Sequence, residues 1–431
     1  MSKYTDYFST NDFSIPKTML ALVATGAGFE NLQLTKIPVP EIGPDQLLAR
    51  VDAAGVCTSI LKLIDQGKKH IFINGWDMKK WPVILGDEGS VTLVKIGDNL
   101  KDKYKIGHRY VIQPAVDIAP LLHRKRYKNN AEGMCKCAVG YTLGGHLAQY
   151  IRIQEEVLKG QCLLPLPNDN LPYFAASMAE PISCVYSAQQ RNYHIIKDGP
   201  NSGRKPHLGL LPHGLVVVVG AGPMGRMHAE LALRFSPSFL IVTARTRPRL
   251  DLTMKILGEK AKEKGTKLIC VTADKLFDKV KDLSGGKGAD DIILAVGIAK
   301  VQQNALGLLA RGGVANLFGG LPRGNHILEL DTLAVHYDEI KVVGSSGGEP
   351  SDMAATLNAI ASEEIDPGNY VAAVGSLDNA IEVLKMIRQG KIDGKAILYP
   401  HIRQTSLQAV DYWSKGREQD FLNSHMQREK I

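Results

Sequence analysis

The stretch Leu215-Val-Val-Val-Val-Gly-Ala-Gly-Pro-Met-Gly225 decides the fold of this chain. Its first five residues are all apolar, as expected for a strand buried on both faces, and a helix is predicted near Met224–Phe235. The glycines form a G-x-G-x-x-G pattern, in which the first permits a tight turn, the second lets the backbone approach a pyrophosphate, and the third lets helix and strand pack closely. The stretch therefore predicts a dinucleotide-binding turn with the helix N-terminus facing the phosphates. The residues expected to contact the dinucleotide are Gly220, Gly222, Pro223, Met224 and Gly225.

Strand and helix signals alternate after this turn. Apolar strands are predicted at Phe239–Thr243, Asp291–Val296 and Gly313–Phe318, and the sequence between them is helix-prone. Alternation of apolar strands with helices is typical of a parallel, doubly wound sheet. We therefore predict an α/β protein that contains a Rossmann domain.

The sequence on either side of this unit has a different character. Up to about residue 185, short β segments such as Gln46–Val51 and Arg109–Ile112 alternate with glycine and proline. After about residue 340 mixed structure returns, and a polar, helix-prone tail begins at Ser406. We predict boundaries at residues 1–185, 186–340 and 341–431, with the middle segment as a Rossmann domain inserted between two halves of another domain.

The end of the second predicted strand discriminates between the nicotinamide dinucleotides. An acidic residue there would accept hydrogen bonds from the ribose hydroxyls of NAD and would repel a 2′-phosphate. This chain reads Ile241-Val-Thr-Ala-Arg-Thr-Arg-Pro-Arg249 and has no acid in that stretch. Because Thr243, Arg245 and Arg247 offer donors and positive charge, we expect NADP(H) to be preferred over NAD(H). The alternative is that these arginines are ordinary surface cations.

Composition limits the classes of protein to which the chain can belong. Its 431 residues are 44% hydrophobic, and no stretch approaches the roughly 18 apolar residues of a membrane helix. Met1–Pro16 lacks the design of a signal peptide, and six cysteines do not make a disulfide framework in so long a chain, so we expect a cytoplasmic protein with reduced thiols. The net charge is +8, but lysine and arginine are dispersed apart from His123–Lys128. We therefore expect anionic small molecules as ligands, and no nucleic-acid or membrane partner.

Three other segments combine a thiol or a carboxylate with small neighbouring residues. They are Gly55-Val-Cys-Thr-Ser59, Gly86-Asp-Glu-Gly89 and Ala179-Glu-Pro181. Each has a simpler explanation, since a cysteine such as Cys57 is often a small buried hydrophobe and an Asp-Glu pair often belongs to a turn. Taken singly, each segment is compatible with a functional site and with the simpler structural explanation.

Together with the glycine turn, these segments resemble the medium-chain, zinc-dependent alcohol and polyol dehydrogenases. The resemblance spans nearly the whole chain and includes Gly107–Val111, Gly144–Tyr150 and Gly394–Leu398. It implies a GroES-like, partly β-barrel domain that carries a catalytic zinc, with an inserted Rossmann domain that carries the cofactor. The segments similar to the sorbose-1-phosphate reductase branch are Ser177–Cys184, Arg191–His194, Val335–Tyr337 and Val343–Asp352, with the extended tail.

The resemblance also implies roles for individual residues. Cys57 matches the metal thiolate, and Ser59 matches the hydroxyl that relays the alcohol proton. Glu88 matches the carboxylate of the family's Gly-His-Glu motif, and Glu180 matches a carboxylate that binds the metal or its water. Lys395 is expected to reach the cofactor pyrophosphate. The implied catalytic residues are Cys57, Ser59 and Glu88, and the implied ligands of a single catalytic zinc are Cys57, Asp87, Glu88 and Glu180.

Two departures from the family pattern concern metals. Asp87 stands where the Gly-His-Glu motif has histidine, and it adds negative charge to a set that already holds one thiolate and two carboxylates. Such a site weakens the Lewis acidity of a bound ion, and leaves open zinc, another divalent ion or no metal. The family's structural-zinc lobe carries four closely spaced cysteines, whereas this chain has Cys135 and Cys137 there, so we expect no structural zinc.

The substrate implied by the resemblance is a ketose phosphate such as sorbose 1-phosphate, reduced to a hexitol phosphate. Candidates for contacts with the phosphate are Lys62, Lys68 and Lys69. An unphosphorylated polyol or another alcohol is the alternative within enzymes. Because Asp87 changes the ligand set, a cofactor-binding regulator without metal chemistry is the alternative from another class. The family suggests a homodimer or a tetramer.

Overall fold

The structure of the chain, a computed structural model, describes residues 14–322 and 324–425. Contacts within the chain define two compact units. One unit joins the residues up to Glu180 with those from Glu349 onward, and the other comprises Pro181–Gly348. The prediction that Met1–Pro16 is not a signal peptide falls mostly on residues 1–13, which lie outside the described residues.

Both units contain β-strands, which are numbered here in chain order. The strands are β1 (Thr18–Ala24), β2 (Leu32–Pro38), β3 (Leu47–Gly55), β4 (Val83–Ile84), β5 (Glu88–Ile96), β6 (Arg109–Ile112), β7 (Ala115–Val116), β8 (Cys137–Ala138), β9 (Tyr150–Ile153), β10 (Leu163–Pro165), β11 (Tyr193–Ile196), β12 (Lys205–Leu208), β13 (Leu215–Val219), β14 (Phe239–Ala244), β15 (Lys267–Thr272), β16 (Ala289–Leu294), β17 (Leu309–Leu317), β18 (Lys341–Gly344), β19 (Val371–Ser376), β20 (Lys395–Tyr399) and β21 (Gln408–Ala409).

The α-helices alternate with these strands and lie in both units. They are Ser59–Gln66, Glu155–Lys159, Tyr173–Ser177, Ala179–Gln190, Pro223–Ala232, Arg247–Glu263, Leu276–Ser284, Ala299–Leu306, Thr332–Tyr337, Pro350–Ala361, Ala380–Arg388 and Lys415–His425. Within residues 14–322 and 324–425, no helix has the length and apolar character needed to cross a membrane.

The second unit is built on a six-stranded parallel sheet. Its strand order is β15-β14-β13-β16-β17-β18, and every neighbouring pair is parallel. In this order the first strand of the sheet lies near the centre and the chain winds outward on both sides of it, as in Rossmann domains. β13 is buried along its whole length, as its run of four valines after Leu215 requires. The carboxyl end of β13 therefore faces the crevice where such sheets bind ligands.

The predicted boundaries of this unit need a correction. β18 pairs with Val314–Leu317 of β17, so the sixth strand of the sheet lies beyond the predicted limit at residue 340. Its residues are alternately half-buried and exposed, and it therefore lacks the continuous apolar run by which a buried strand is recognised. At the other end, the unit begins at Pro181 and not at residue 186.

The first unit is organised around an eight-stranded sheet. Its order is β10-β6-β5-β3-β20-β19-β21, and β9 also pairs with β3. β9 pairs with the first half of β3 and β20 with its end, where Ile397 lies opposite Gly55. Strands from before and after the second unit therefore share one sheet, which is the organisation expected for an inserted domain.

The helix Ser59–Gln66 packs against the core of the first unit. Ile60, Leu63 and Ile64 are buried in it, at the spacing that places residues on one face of a helix. They belong to the same apolar cluster as Val51 of β3. This packing fixes the first turn of the helix, and with it Ser59, close to the end of β3.

Candidate active site

A cluster of three potential metal ligands lies at one end of the eight-stranded sheet. Cys57 follows β3, Asp87 directly precedes β5, and Glu88 is the first residue of β5. The two strands are antiparallel, with Gly55 paired with Glu88. One sulfur or oxygen atom from each of Cys57, Asp87 and Glu88 lies within 4.8 Å of the other two. Residues far apart in the sequence thus come together where the two strand ends meet.

Gly55 allows Glu88 to enter this cluster. The two residues are direct partners across β3 and β5, and Glu88 is completely buried. A Cβ atom at Gly55 would overlap Oε2 of Glu88, so a larger residue would displace the carboxylate. The glycine before Val56 and Cys57 therefore has a steric role in the site.

The hydrogen bonds of the cluster leave two of its oxygens without a donor. The Ser59 hydroxyl donates to Oδ2 of Asp87 at 2.6 Å, and Nζ of Lys395 donates to Oε1 of Glu88. The backbone N–H of Ser59 donates to the sulfur of Cys57 at 3.4 Å. Oδ1 of Asp87 and Oε2 of Glu88 are buried and accept no hydrogen bond from the described residues. Buried oxygens of this kind, beside a thiol, suit a divalent cation.

The charges of the cluster act strongly on one another. Burial raises the pKa of the Cys57 thiol well above its ordinary value, and the charges of Asp87 and Glu88 raise it further. Burial, together with the charge of Glu88, raises the pKa of Asp87 to about 6. These shifts show a surplus of negative charge, which a divalent ion would neutralise. The donor set of Cys57, Asp87 and Glu88 therefore fits a zinc-type ion.

Lys395 has a partner that the resemblance did not imply. It was expected at the cofactor pyrophosphate, but its ammonium group is buried and forms an ion pair with Glu88. Burial alone would lower the pKa of Lys395, but the charges of Glu88 and Cys57 outweigh that effect and raise it. A buried ammonium requires an anionic partner, and Glu88 supplies it. The expected contact of Lys395 with the cofactor pyrophosphate stays a prediction.

Glu180 is near the cluster but is not one of the three grouped ligands. It is the second residue of the helix Ala179–Gln190 and is half-buried. Its negative charge contributes to the raised pKa of Cys57. Glu180 therefore acts on the cluster electrostatically, and its role as a fourth ligand stays a prediction.

Tyr141 belongs to the site although the sequence did not point to it. Its ring stacks on His70 with centroids 5.0 Å apart, and the residue is buried. Burial raises the pKa of its hydroxyl, Asp87 raises it further, and a hydrogen bond with Ser59 opposes the rise. A lone tyrosine so far along the chain from Ser59 carries no local signal for this contact. Its position just before Gly144–Tyr150 was the available hint.

The glycine turn has the geometry that its sequence predicts. Gly220 follows β13 with a φ of 115°, a conformation that favours glycine, and Gly222 caps the helix Pro223–Ala232. A Cβ at Gly225 would overlap the carbonyl oxygen of Gly220, whereas a Cβ at Gly222 would meet open space. The turn thus packs tightly on one side and is open on the other, where the half-buried Pro223 and Met224 also lie.

The next strand ends without an acid, as the sequence indicated. Thr243 in β14 accepts a hydrogen bond through its carbonyl from Gly220 at 2.9 Å, and its buried hydroxyl has no partner among the described residues. Arg245 is exposed directly after β14. Arg247 begins the following helix and pairs with Asp251 at 3.0 Å, which reduces the charge it can offer to a ligand. Arg245 is therefore the stronger of the two candidates for an anionic contact.

The region of the expected cysteine lobe holds two separate thiols. Cys135 is exposed, whereas Cys137 is buried in the short strand β8. Burial raises the pKa of Cys137 to about 12, which disfavours the thiolate that a metal would require. The absence of a structural zinc stays a prediction.

Family models place the two parts of the chain in one class of enzyme. The alcohol dehydrogenase GroES-like domain matches residues 43–166, and the zinc-binding dehydrogenase domain matches residues 240–362. The first range contains Cys57, Asp87 and Glu88, and the second contains the end of β14. The fold and the ligand cluster thus define a zinc-type dehydrogenase.

Curated relatives extend the similarity over most of the chain. Mannitol-1-phosphate 5-dehydrogenase of Aliivibrio fischeri is 31% identical over 401 residues, which cover 91% of this chain and 89% of the relative. L-sorbose 1-phosphate reductase of Klebsiella pneumoniae is 29% identical, with 82% of each chain covered. The chain belongs to the medium-chain, zinc-dependent alcohol and polyol dehydrogenases, and it is an oxidoreductase. The predicted family is confirmed.

Solved structures agree with the fold. 2R,3R-butanediol dehydrogenase from Bacillus subtilis matches with a TM-score of 0.68 and 21% identity, covering 89% of this chain and 99% of that one. A protein from Sinorhizobium meliloti 1021 with NADP bound matches with a TM-score of 0.68 and 20% identity, covering 89% of this chain and all of that one. The predicted fold class, a GroES-like domain with an inserted Rossmann domain, is confirmed.

Proposed function

We propose that this dehydrogenase reduces a ketose phosphate to a hexitol phosphate with NADPH, in the manner of an L-sorbose 1-phosphate reductase. The observation that carries the proposal is that two relatives similar over more than 80% of the chain are named for sugar phosphates. D-arabitol-phosphate dehydrogenase of Enterococcus avium, 24% identical over 87% of the chain, is a third. The ligand cluster at Cys57 supports a reaction at a carbonyl or alcohol carbon.

Cys57, Asp87 and Glu88 would hold a single catalytic zinc, with Glu180 as the candidate for a fourth ligand or for a contact with its water. When bound, the ion supplies Lewis acidity toward the substrate oxygen. Lys395 offsets part of the negative charge that Asp87 adds, because its ammonium pairs with Glu88. The loss of the usual histidine is thereby partly compensated within the chain itself.

Ser59 is proposed to hold the proton that passes to or from the substrate oxygen. Its hydroxyl donates to Oδ2 of Asp87 at 2.6 Å, so in the oxidative direction its oxygen would accept the proton of the substrate alcohol while its own proton passes to Asp87. In the reductive direction the same transfer would run backwards, from Asp87 through Ser59 to the substrate oxygen. Tyr141, whose ring is buried, forms a further hydrogen bond with Ser59. Orientation of the proton-bearing oxygen by two neighbours is what general acid catalysis requires.

The proposed preference for NADP(H) rests on the exposed Arg245 at the end of β14 and on the missing acid. We expect Arg245→Ala to raise the KM for NADPH about tenfold, because one charge-assisted hydrogen bond to the 2′-phosphate is lost. The KM for NADH should stay within about twofold, since NADH lacks that phosphate. Steady-state kinetics with each cofactor measure both values.

The matched control for this prediction is Arg311→Ala. Arg311 is also exposed, but it lies near the start of β17, at the opposite end of the parallel sheet from the glycine turn. Equal increases in the two KM values for Arg245→Ala would contradict the assignment of Arg245 to the 2′-phosphate.

A comparison of sorbose 1-phosphate with sorbose tests the substrate class. We expect kcat/KM to be about 100-fold higher for the phosphate ester, because charged hydrogen bonds to a phosphate each contribute about 1.5–3 kcal/mol. Lys62, Lys68 and Lys69, the proposed phosphate contacts, are all exposed in and just after the helix Ser59–Gln66. A ratio near one would favour an unphosphorylated polyol, as the similarity to sorbitol dehydrogenase of Bacillus subtilis at 25% identity suggests.

The remaining predictions belong to the same proposal. The protein is proposed to act in the cytoplasm on a small-molecule substrate, as a homodimer or homotetramer, without nucleic-acid or membrane partners. The alternative of a regulator without metal chemistry is disfavoured, because the chain belongs to a family of enzymes and brings Cys57, Asp87 and Glu88 together.

A further inference from the structure

A buried carboxylate in the C-terminal helix joins two distant segments of the first unit. Glu418 lies in the helix Lys415–His425 and is completely buried. Its Oε2 accepts a hydrogen bond from the backbone N–H of Tyr173 at 2.9 Å, and its Oε1 accepts one from the backbone N–H of Phe174 at 2.8 Å. The same Oε1 accepts a third hydrogen bond, from the Tyr399 hydroxyl, at 2.8 Å. Both oxygens of a buried carboxylate are thus engaged with donors from other segments.

The first of these segments leads directly to Glu180. Tyr173 and Phe174 are the first two residues of the helix Tyr173–Ser177, and the helix Ala179–Gln190 follows after Met178. The backbone N–H groups at the start of a helix have no acceptor within the helix, and Glu418 supplies acceptors for two of them. The segment is further held by Arg109, whose guanidinium lies 4.3 Å from the centre of the Tyr173 ring. Glu418 therefore fixes the start of the segment that carries Glu180.

The second segment is β20, which begins at Lys395 and ends at Tyr399. The indole N–H of Trp413 donates to the Tyr399 oxygen at 2.9 Å, and that hydroxyl donates to Glu418. Phe421 packs against the Tyr399 ring with centroids 5.5 Å apart. Trp413, Glu418 and Phe421, all in the C-terminal tail, therefore hold Tyr399 in place. Tyr399 lies at the opposite end of β20 from Lys395, which pairs with Glu88.

We propose that Glu418 is a positioning residue, through which the C-terminal helix holds Glu180 and Lys395 in place around the Cys57–Asp87–Glu88 cluster. Both charges act on Cys57, Glu180 raising and Lys395 lowering the pKa of its thiol. A shift of either segment would change the charge balance felt by the metal ligands. The tail thus supports the site although none of its residues belongs to the cluster.

Burial and the neighbours of Glu418 act on its pKa in opposite directions. Burial raises its pKa to about 7, while hydrogen bonds from Phe174, Tyr399 and Tyr173, and the charge of Arg109, oppose the rise. An amide at position 418 would keep one acceptor oxygen but would present N–H to one of the present donors. Glu418→Gln therefore preserves size and removes at least one of the three hydrogen bonds.

The test measures the zinc affinity of the metal-free, full-length protein by competition with a chelator. We expect Glu418→Gln to weaken zinc binding about tenfold and to lower kcat of the zinc-loaded enzyme about tenfold, the lower end of what supporting residues around metal ligands contribute. The Kd for NADPH, measured by its fluorescence, should stay within twofold. Hydrogen exchange should become faster at the N–H groups of Tyr173 and Phe174.

Two further variants keep the test decisive. Asp420→Asn makes the same chemical change at an exposed position of the same helix, and should leave every value within twofold. Tyr399→Phe keeps the ring but removes two hydrogen bonds, the one donated to Glu418 and the one accepted from Trp413. If Glu418→Gln does not fold, Tyr399→Phe is expected to weaken zinc binding in the same direction, and an unchanged zinc affinity and kcat would overturn the proposal. A variant that melts earlier but keeps zinc affinity and kcat within twofold would show a purely structural role and would overturn the proposal.

Discussion

Replacement of Cys57 by serine is expected to remove the bound metal and to lower kcat about a thousandfold. Cys57 contributes the one sulfur of the cluster, and a serine hydroxyl is a much poorer ligand because it remains protonated at neutral pH. A bound metal contributes several kcal/mol of transition-state stabilisation, and each 1.36 kcal/mol corresponds to a factor of ten in rate. Metal content by elemental analysis and kcat for the ketose phosphate measure the two effects.

Cys135→Ser is the matched control for this variant. Cys135 lies in the same unit but is exposed and outside the cluster, so metal content and kcat should equal those of the wild type. Full metal content in Cys57→Ser would mean that the thiol is not a ligand. Unchanged kcat in a metal-free variant would contradict the metal-dependent chemistry itself.

Replacement of Lys395 by methionine is expected to destabilise the metal-free protein by about 3–5 kcal/mol. The change leaves the carboxylate of Glu88 buried without its cation, and breaking a buried ion pair on one side has costs of that size. Urea denaturation measures the free energy of unfolding. The double variant Lys395→Met with Glu88→Gln should be less destabilised than the sum of the single variants, because no unpaired charge remains.

An exposed ion pair supplies the control for this experiment. Lys136 pairs with Asp117 at 2.6 Å, with about half of the lysine side chain exposed to solvent. Lys136→Met should therefore change the free energy of unfolding by less than about 1 kcal/mol. Equal effects of Lys136→Met and Lys395→Met would show that burial of the Lys395–Glu88 pair does not matter for stability.

Local sequence was sufficient to predict the nucleotide-binding unit. The predicted strand Leu215–Val219 coincides with β13, because a run of valines before a glycine turn has few other structures open to it. The helix after the turn was predicted to begin near Met224 and begins at Pro223. Here the glycine pattern, the strand and the helix are contiguous in the chain, so one window of sequence contains the whole feature.

The ligand cluster was only partly predictable. Cys57, Asp87 and Glu88 were singled out by resemblance, because they lie in two short motifs, Gly55–Ser59 and Gly86–Gly89, and the structure brings the three side chains together. The pairing of Lys395 with Glu88 was not predicted, since the two residues are 307 positions apart and no local pattern records which strand lies beside β3. Such contacts depend on which distant strands pair with each other. Local strand propensity and the spacing of residues do not reveal this pairing.

The Lys395–Glu88 pair has a consequence for how the enzyme is made. Many small metal-binding domains fold only when the ion binds, because the free energy of metal binding supplies their free energy of folding. Here β20 brings a cation of the chain's own beside Glu88. The pair lowers the electrostatic cost of the metal-free site, so we expect the polypeptide to fold before it meets a metal, with metal loading as a late step in its maturation. An enzyme that loses its ion in the cell would then stay folded and could bind a metal again.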